Sequence, residues 1–272
     1  MDKKDSLGDR MKEYEMAEAG RKAMIGIPLL VRLDGKGFHK YTKGMSKPYD
    51  ERLTKCLIDT TKMLVKDTNA LVGYCQSDEI SLLYYAVRNS DVYPPCFMYD
   101  GRFQKVTSIL AGMTSSYFSR LSLESLPDHA HKLPVFDARA WQVPSESEAA
   151  NAFYWRELDA TKNAISMAAH AYFSHKELQG LSGADKQEML FSRKGINFND
   201  YPAFFKRGVY VKRKNFIKTL SSEELAKIPD AKKPVNGEVV RTGIVEMEWP
   251  AAKHVSNFKD LLFGRDVEPV LK

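Results

Sequence analysis

Two short stretches of the sequence place carboxylates inside segments that otherwise read as buried strand. "IPLLVRLDG", Ile27 to Gly35, is β-branched and leucine-rich and closes on Asp34, while "GYCQSDEISLLYYA", Gly73 to Ala86, sets Asp78 and Glu79 between two apolar runs. Carboxylates clustered at strand ends repel one another and lose hydration, a cost that a bound divalent cation removes. Two such cations close together clamp the attacking and leaving oxygens of a phosphoryl transfer. Asp34, Asp78 and Glu79 are therefore candidate catalytic residues of a Mg2+-dependent reaction at phosphorus. Taken singly, Asp34-Gly35 reads as a turn and Ser77-Asp78-Glu79 as a polar hairpin tip. The order of the surrounding elements decides whether they meet.

That order is strand, helix, strand, strand, helix, strand. Ile27–Gly35 predicts a central strand ended by Asp-Gly. From Asp50 to Lys66 the apolar residues Leu53, Cys56, Leu57, Met63 and Leu64 recur at helical spacing, with Asp50 and Glu51 suited to the positive end. "ALVGYCQ" and "EISLLYYAV" follow, joined through Ser77 and Asp78 with room for no more than a tight turn. A second helix is expected from about Arg102 to Leu121, and "PVFDARAWQVP" supplies the last strand. This is the βαββαβ unit of ferredoxin-like folds, an α+β palm with helices on one face of an antiparallel sheet and the first strand beside the third. Asp34 at a strand end and Asp78 and Glu79 at the hairpin tip then face each other. Residues 1–145 form the expected palm-like core; residues 146–272 form a helical and short-strand portion set against it as one unit, with a helix or linker after Val143.

Composition narrows the class. The 272 residues are 43% hydrophobic, ample for a core, and no apolar run approaches a membrane span. The N-terminal segment carries both signs of charge, unlike a targeting peptide, which points to the cytoplasm. Cys56, Cys75 and Cys96 lie far apart with no CxxC, and their odd count argues against a disulfide framework or thiolate zinc site, so all three are expected in the core. "HAHK", His129 to Lys132, reads as a surface loop. Forty-one Lys+Arg against thirty-five Asp+Glu leave a net charge of +6. Lys206, Arg207, Lys212, Arg213, Lys214 and Lys218 crowd one segment, a pattern suited either to a nucleic-acid backbone or to a solvated strand face.

Arg102 and Lys105 share one helical face near an expected helix N-terminus, where phosphates bind well. The Gly35–Phe38 loop, with Gly37 inside it, allows close backbone approach to a base or phosphate. Between Phe153 and Phe173, Arg156, Asp159, Asn163 and His170 fall along one face of an expected helix. The acids alone leave polymerase palms and nucleotide cyclases equally open, because fold does not dictate reaction.

"RLDGKGFHKYT", "KPYD", "QSDEISLL", "WRELDATKN" and "ADKQEMLFSRKGINFND" occur in an order and at spacings that resemble the tRNA(His) guanylyltransferase family of 3′ to 5′ RNA polymerases, from about Arg32 to Gly208. The resemblance implies that Asp34, the Gly35 carbonyl and Asp78 hold two Mg2+ ions, with Glu79 as the adjacent acid. It places Arg32, Lys36, His39, Lys47, Ser77, Arg102 and Lys105 around a nucleoside triphosphate and raises Asp159 and Asn163 to ligand contacts. Arg156 and the basic segment become RNA candidates, joined by residues near Asn197–Asp200.

Thr161, Lys162 and Ala164 depart from the W-R-Q-x-D-x-H-I-N-N pattern of eukaryotic members, and Cys75 stands where they have Gly. The pattern is similar to the bacterial and archaeal guanylyltransferase-like branch. That branch implies templated repair of 5′-truncated tRNA after activation with ATP or GTP, with guanylate addition to tRNA(His) as a variant. A homotetramer with tRNA as partner is also implied. The rivals are a palm-type cyclase or conventional polymerase, and a non-catalytic tRNA-binding protein.

Overall fold

The computed structural model describes residues 6–264 and 266–272. Its centre is a six-stranded antiparallel sheet in the order β4-β1-β3-β2-β5-β6. The strands are β1 (Leu29–Gly35), β2 (Val72–Gln76), β3 (Glu79–Tyr84), β4 (Phe136–Gln142), β5 (Val209–Thr219) and β6 (Glu238–Met247). The helices are α1 (Ser6–Ala19), α2 (Phe38–Tyr41), α3 (Glu51–Thr68), α4 (Phe103–Ser125), α5 (Glu146–His170), α6 (His175–Leu178), α7 (Gly183–Lys194), α8 (Ala203–Arg207), α9 (Ser222–Ala226) and α10 (Phe258–Phe263). No helix among the described residues is long and apolar enough to cross a membrane.

The expected βαββαβ core is present, and β1 lies beside β3 as the topology requires. Alternate residues of each strand take opposite faces. Leu29, Val31 and Leu33 of β1 and Ile80 and Leu82 of β3 bury against Leu57 and Leu64 of α3 and Val106, Leu110 and Phe118 of α4. The other face, carrying Leu30, Val72, Tyr74 and Leu83, is covered by Ala149, Ala150 and Phe153 of α5 and by Leu261 and Leu262 of α10. The helical second half thus closes the side of the palm sheet that α3 and α4 leave open.

Local chemistry sets the boundaries. Asp50 lies just outside α3 and caps it, accepting from the Arg52 backbone N–H at 3.0 Å. The segment after Val143 is a helix: Ser145 caps α5, accepting from Glu148 N at 3.2 Å. Gly208 turns the chain from α8 into β5 with φ +77°, where a Cβ would lie 2.6 Å from the Cys75 carbonyl oxygen. That position needs glycine for both conformation and space.

Three expectations change. Cys56 and Cys75 are buried, but Cys96 is exposed. His129 is buried, with Nε2 3.3 Å from the Lys43 carbonyl oxygen, and Lys132 Nζ donates to the Tyr41 carbonyl at 2.7 Å. The "HAHK" loop therefore fastens the chain after α2 rather than floating at the surface. Beyond Ser221, β6 pairs with β5 from Tyr210↔Met247 to Thr219↔Glu238, whereas β2 pairs with β5 only as far as Lys212. The outer part of the β5–β6 hairpin extends past the sheet as a two-stranded arm.

Candidate active site at the end of the sheet

Gln76 and Glu79 are cross-strand partners, which leaves Ser77 and Asp78 as a two-residue turn between β2 and β3. Ser77 takes φ 49°, a left-handed conformation that such tight hairpins demand and that a non-glycine residue adopts at a cost. Gly35 N donates to the Asp78 carbonyl oxygen at 3.1 Å, tying the end of β1 to the turn. The sheet thus brings Asp34 and Asp78 together. Burial pushes the Asp78 carboxyl above the ordinary aspartate value, and the charge of Asp34 adds to that push.

The register adds two rows on one face of the sheet. Asp137, Asp34, Glu79 and Gln76 lie opposite one another across β4, β1, β3 and β2; two residues further in, Arg139, Arg32, Ser81 and Tyr74 do the same. α5 lies over these rows. Arg156 donates from Nε and from one terminal nitrogen to the two Glu79 oxygens, both at 2.7 Å, and reaches Asp159 at 2.9 Å, whose carboxylate also accepts from Asn163 at 3.3 Å. Arg156 and Glu79 are both buried. Burial pushes the Glu79 carboxyl up, and the Arg156 guanidinium pulls back against it. Arg32 stands 4.0 Å from Glu79, its Nε buried without a hydrogen-bond partner.

Beside the Asp78 turn opens a cavity of about 550 Å3. Gly35, Gly37, Phe38, His39, Lys47, Ser77 and Asp78 line it, with Tyr49, Asp50, Met167 and His170. Gly37 adopts φ 64° to start α2, and His39 and Lys47 are exposed. Phe38 contributes backbone and little ring, because its side chain stacks on Tyr41 at 5.0 Å and meets Phe136 at 5.1 Å in the core. Asn163 lines a smaller adjoining space that shares Ser77 and Met167. Asp50 faces the cavity as a fixed anion, since its hydrogen bond from Arg52 holds the carboxyl down to about 2. Lys36 is exposed and its N–H is taken by Val135.

Several residues expected here lie elsewhere. β3 runs away from the Asp78 turn, and the next connection starts α4 at the opposite end of the sheet, where Ala23 N donates to the Gly101 carbonyl and Lys22 bridges to Arg102. Only after α4 has returned does Ser115 Oγ accept from Phe136 N, beside Gly35. Arg102 and Lys105 thus lie about 20 Å and about 15 Å of helix rise before Ser115, at 1.5 Å per residue, toward the far end of the sheet from the acids of the same chain.

Arg156, expected at the RNA, is instead buried, with Nε and one terminal nitrogen given to Glu79 and Asp159. Lys212 is the third correction. It is 3% exposed, lies over the Trp249 ring and donates to the carbonyls of Leu261, Leu262 and Gly264, fastening α10 to the sheet. Burial pushes its ammonium down to about 8. Lys206, Arg207, Arg213 and Lys214 stay half-buried with intramolecular partners: the Asn199 carbonyl, the Trp249 carbonyl, the end of α3 and Glu268. Replacing Lys212 with alanine strands its carbonyls and is expected to cost about 1–3 kcal/mol in urea melts, without altering the salt dependence of RNA binding.

Asp137 and Arg139 were not singled out in the sequence. The alternation in "FDAR" was a usable signal once β4 was paired with β1, because it puts both on the face of Asp34.

The comparisons with known proteins decide the class. Residues 8–144 match the family model described as "tRNAHis guanylyltransferase", and residues 149–248 match that of the "Thg1 C terminal domain". The chain belongs to the tRNA(His) guanylyltransferase family. Among members of that family, the tRNA(His) guanylyltransferase of Debaryomyces hansenii is 31% identical over 216 residues, 73% of this chain and 78% of that protein. That of Saccharomyces cerevisiae is 29% identical over 206 residues, 70% and 84% of the two chains. A bacterial tRNA(His) guanylyltransferase-like protein solved in complex with GTP is 33% identical, with a TM-score of 0.70 over 94% of this chain and 99% of that one. Another, in complex with ATP, is 41% identical with a TM-score of 0.71 over 76% and 87%. Membership in the tRNA(His) guanylyltransferase family makes the chain a nucleotidyltransferase, as the acids suggested.

Proposed function

We propose that this chain adds nucleotides in the 3′ to 5′ direction to the 5′ end of tRNA, by templated repair of a truncated acceptor stem. The observation that carries the reading is the pair Asp34 and Asp78, held together beside a cavity lined by His39, Lys47 and Ser77. The donor set fits Mg2+. Two carboxylates and the Gly35 carbonyl are hard oxygen ligands, and Mg2+ commonly takes one or two carboxylates and completes its shell with water and substrate phosphates. Such a shell needs no third acidic, His or Cys side chain, and among the described residues no three are placed to hold a metal ion together. When bound, the ions supply charge neutralisation at the transferring phosphorus.

The chain's own residues bind and orient. The nucleoside triphosphate, ATP or GTP, occupies the cavity with Lys47 and His39 on its phosphates and the Gly35–Phe38 backbone beside it. Asn163, held by Asp159, reaches the adjoining space. In the activation step a phosphate oxygen at the RNA 5′ end attacks the α-phosphorus of the triphosphate and pyrophosphate leaves. In the addition step the 3′-hydroxyl of an incoming triphosphate attacks the activated 5′ phosphorus and the activating group leaves. Glu79 we assign to positioning, because Arg156 already occupies both of its oxygens.

We further propose that residues 1–145 and 146–272 act as one unit, that the protein works in the cytoplasm, and that it assembles as a homotetramer, which light scattering tests. For the activity, the purified protein is incubated with Mg2+, ATP, GTP and a labelled tRNA lacking its first nucleotide. Extension by the nucleotide complementary to the opposing strand supports templated repair. Guanylate added regardless of the template favours the tRNA(His) reaction, and no extension of any RNA overturns the reading.

A further inference from the structure

The nucleotide cavity accounts for one of the two anionic substrates that the reaction requires. It lies on the β3 side of Asp34, where Ser77 and Asp78 form its wall. On the other side of Asp34 is β4, an edge strand paired, among the described residues, with β1 alone. There Arg139 stands, 3.9 Å from Asp34 and 3.6 Å from Asp137, both too long for hydrogen bonds. Its side chain is 56% exposed. Exposed pairs of this kind contribute little stability, so counter-ion duty alone gives Arg139 weak employment. The other two arginines near these acids differ: Arg156 of α5 is paired with Glu79 and has a side chain 10% exposed, and Arg32 is mostly covered, with a side chain 17% exposed.

We propose that Arg139 binds the phosphate at the 5′ end of the polynucleotide substrate and so sets the enzyme's preference for a 5′-phosphorylated RNA; this rests on the reading above and deepens it. In-line transfer places the attacking and leaving groups on opposite sides of the phosphorus, so the two substrates must approach the acids from different directions. With one direction taken by the cavity, the open edge at β4 is the other. The two aspartates hold the guanidinium there without saturating its five donors, and its planar fork suits bidentate contact with a phosphate. A lysine at this position would offer only a point charge.

The experiment measures binding of a tRNA lacking its first nucleotide, carrying either a 5′-monophosphate or a 5′-hydroxyl, to wild type, Arg139→Ala and Arg139→Lys. Binding is read in EDTA, so no turnover enters, beside GTP affinity and melting temperature for each protein. Wild type is expected to prefer the phosphorylated RNA by roughly tenfold, the worth of one charge-assisted contact. Arg139→Ala should bind both RNAs equally, Arg139→Lys should keep part of the preference, and GTP affinity should be the same in all three. Preference retained in Arg139→Ala, no preference in wild type, or an equal loss of GTP affinity would each overturn the proposal. Wild-type extension of the truncated tRNA separates the two ideas: with extension intact, only the assignment of Arg139 falls.

Discussion

Replacing Asp78 with asparagine is expected to lower 5′ nucleotide addition by about a thousandfold or more while leaving the protein as stable as the wild type, or more so. Losing one of two metal carboxylates removes several kcal/mol of transition-state stabilisation, and each 1.36 kcal/mol is tenfold in rate. Stability moves the other way because Asp78 is half-buried beside Asp34, and its partial desolvation and the charge of Asp34 both oppose its ionisation. A carboxyl whose folded-state pKa is raised contributes stability that is fully present below its unfolded value and is lost as pH rises through the folded one. Acidification through that window, from the raised Asp78 value down to the ordinary aspartate value, should therefore stabilise wild type relative to the variant. Melting curves across this range check the sign. At neutral pH, added Mg2+ should raise the melting temperature of wild type and have little effect on Asp78→Asn. A large loss of stability in the variant would show that Asp78 is a structural turn residue.

The second large effect is expected at Glu79, and it falls on the fold. Glu79→Ala leaves the Arg156 guanidinium buried without its main partner, which costs about 3–5 kcal/mol. At about 2–4 °C per kcal/mol for a chain of this size, the melting temperature should fall by on the order of 10 °C. A double variant, Glu79→Met with Arg156→Met, removes both charges and should recover most of that loss. If Glu79→Ala melts like the wild type, the ion pair is not holding α5 to the sheet. The addition rate of the double variant then separates the roles, because a positioning residue allows partial activity where a metal ligand does not.

The parts of the site that were legible in the sequence are those in which neighbouring residues carry the geometry. Asp78 could be placed because only Ser77 accompanies it between two apolar runs, and Asp34 because Gly35 ends a strand that the βαββαβ order sets beside β3. Helix direction was harder to read. Arg102 and Lys105 carry the right charges at the right spacing, yet their helix starts where β3 ends, at the far end of the sheet. The same topology that unites the acids sets these two residues apart from them within the chain.

Lys212 of the basic segment misled for a different reason. A lysine on an alternating strand looks solvated until the element that covers it is known, and what covers Lys212 is α10, fifty residues later in a stretch without a motif. β6 was hidden because, as an edge strand, it has no fully buried residue and shows little hydrophobic alternation. Arg139 went unnoticed because its meaning depends on register, with Asp34 opposite Asp137 and Arg32 opposite Arg139.

The bond between Arg156 and Glu79 also orders events in time. It joins positions 77 residues apart, and Glu79 adjoins the turn that carries Asp78. A chain emerging from the ribosome can complete β1 to β4 before α5 exists, and would then hold Glu79 on an uncovered sheet face without its cation. The catalytic end of the palm is thus completed only when the second half docks. A chain truncated before α5 is therefore expected to leave Glu79 without its cation beside the Asp78 turn.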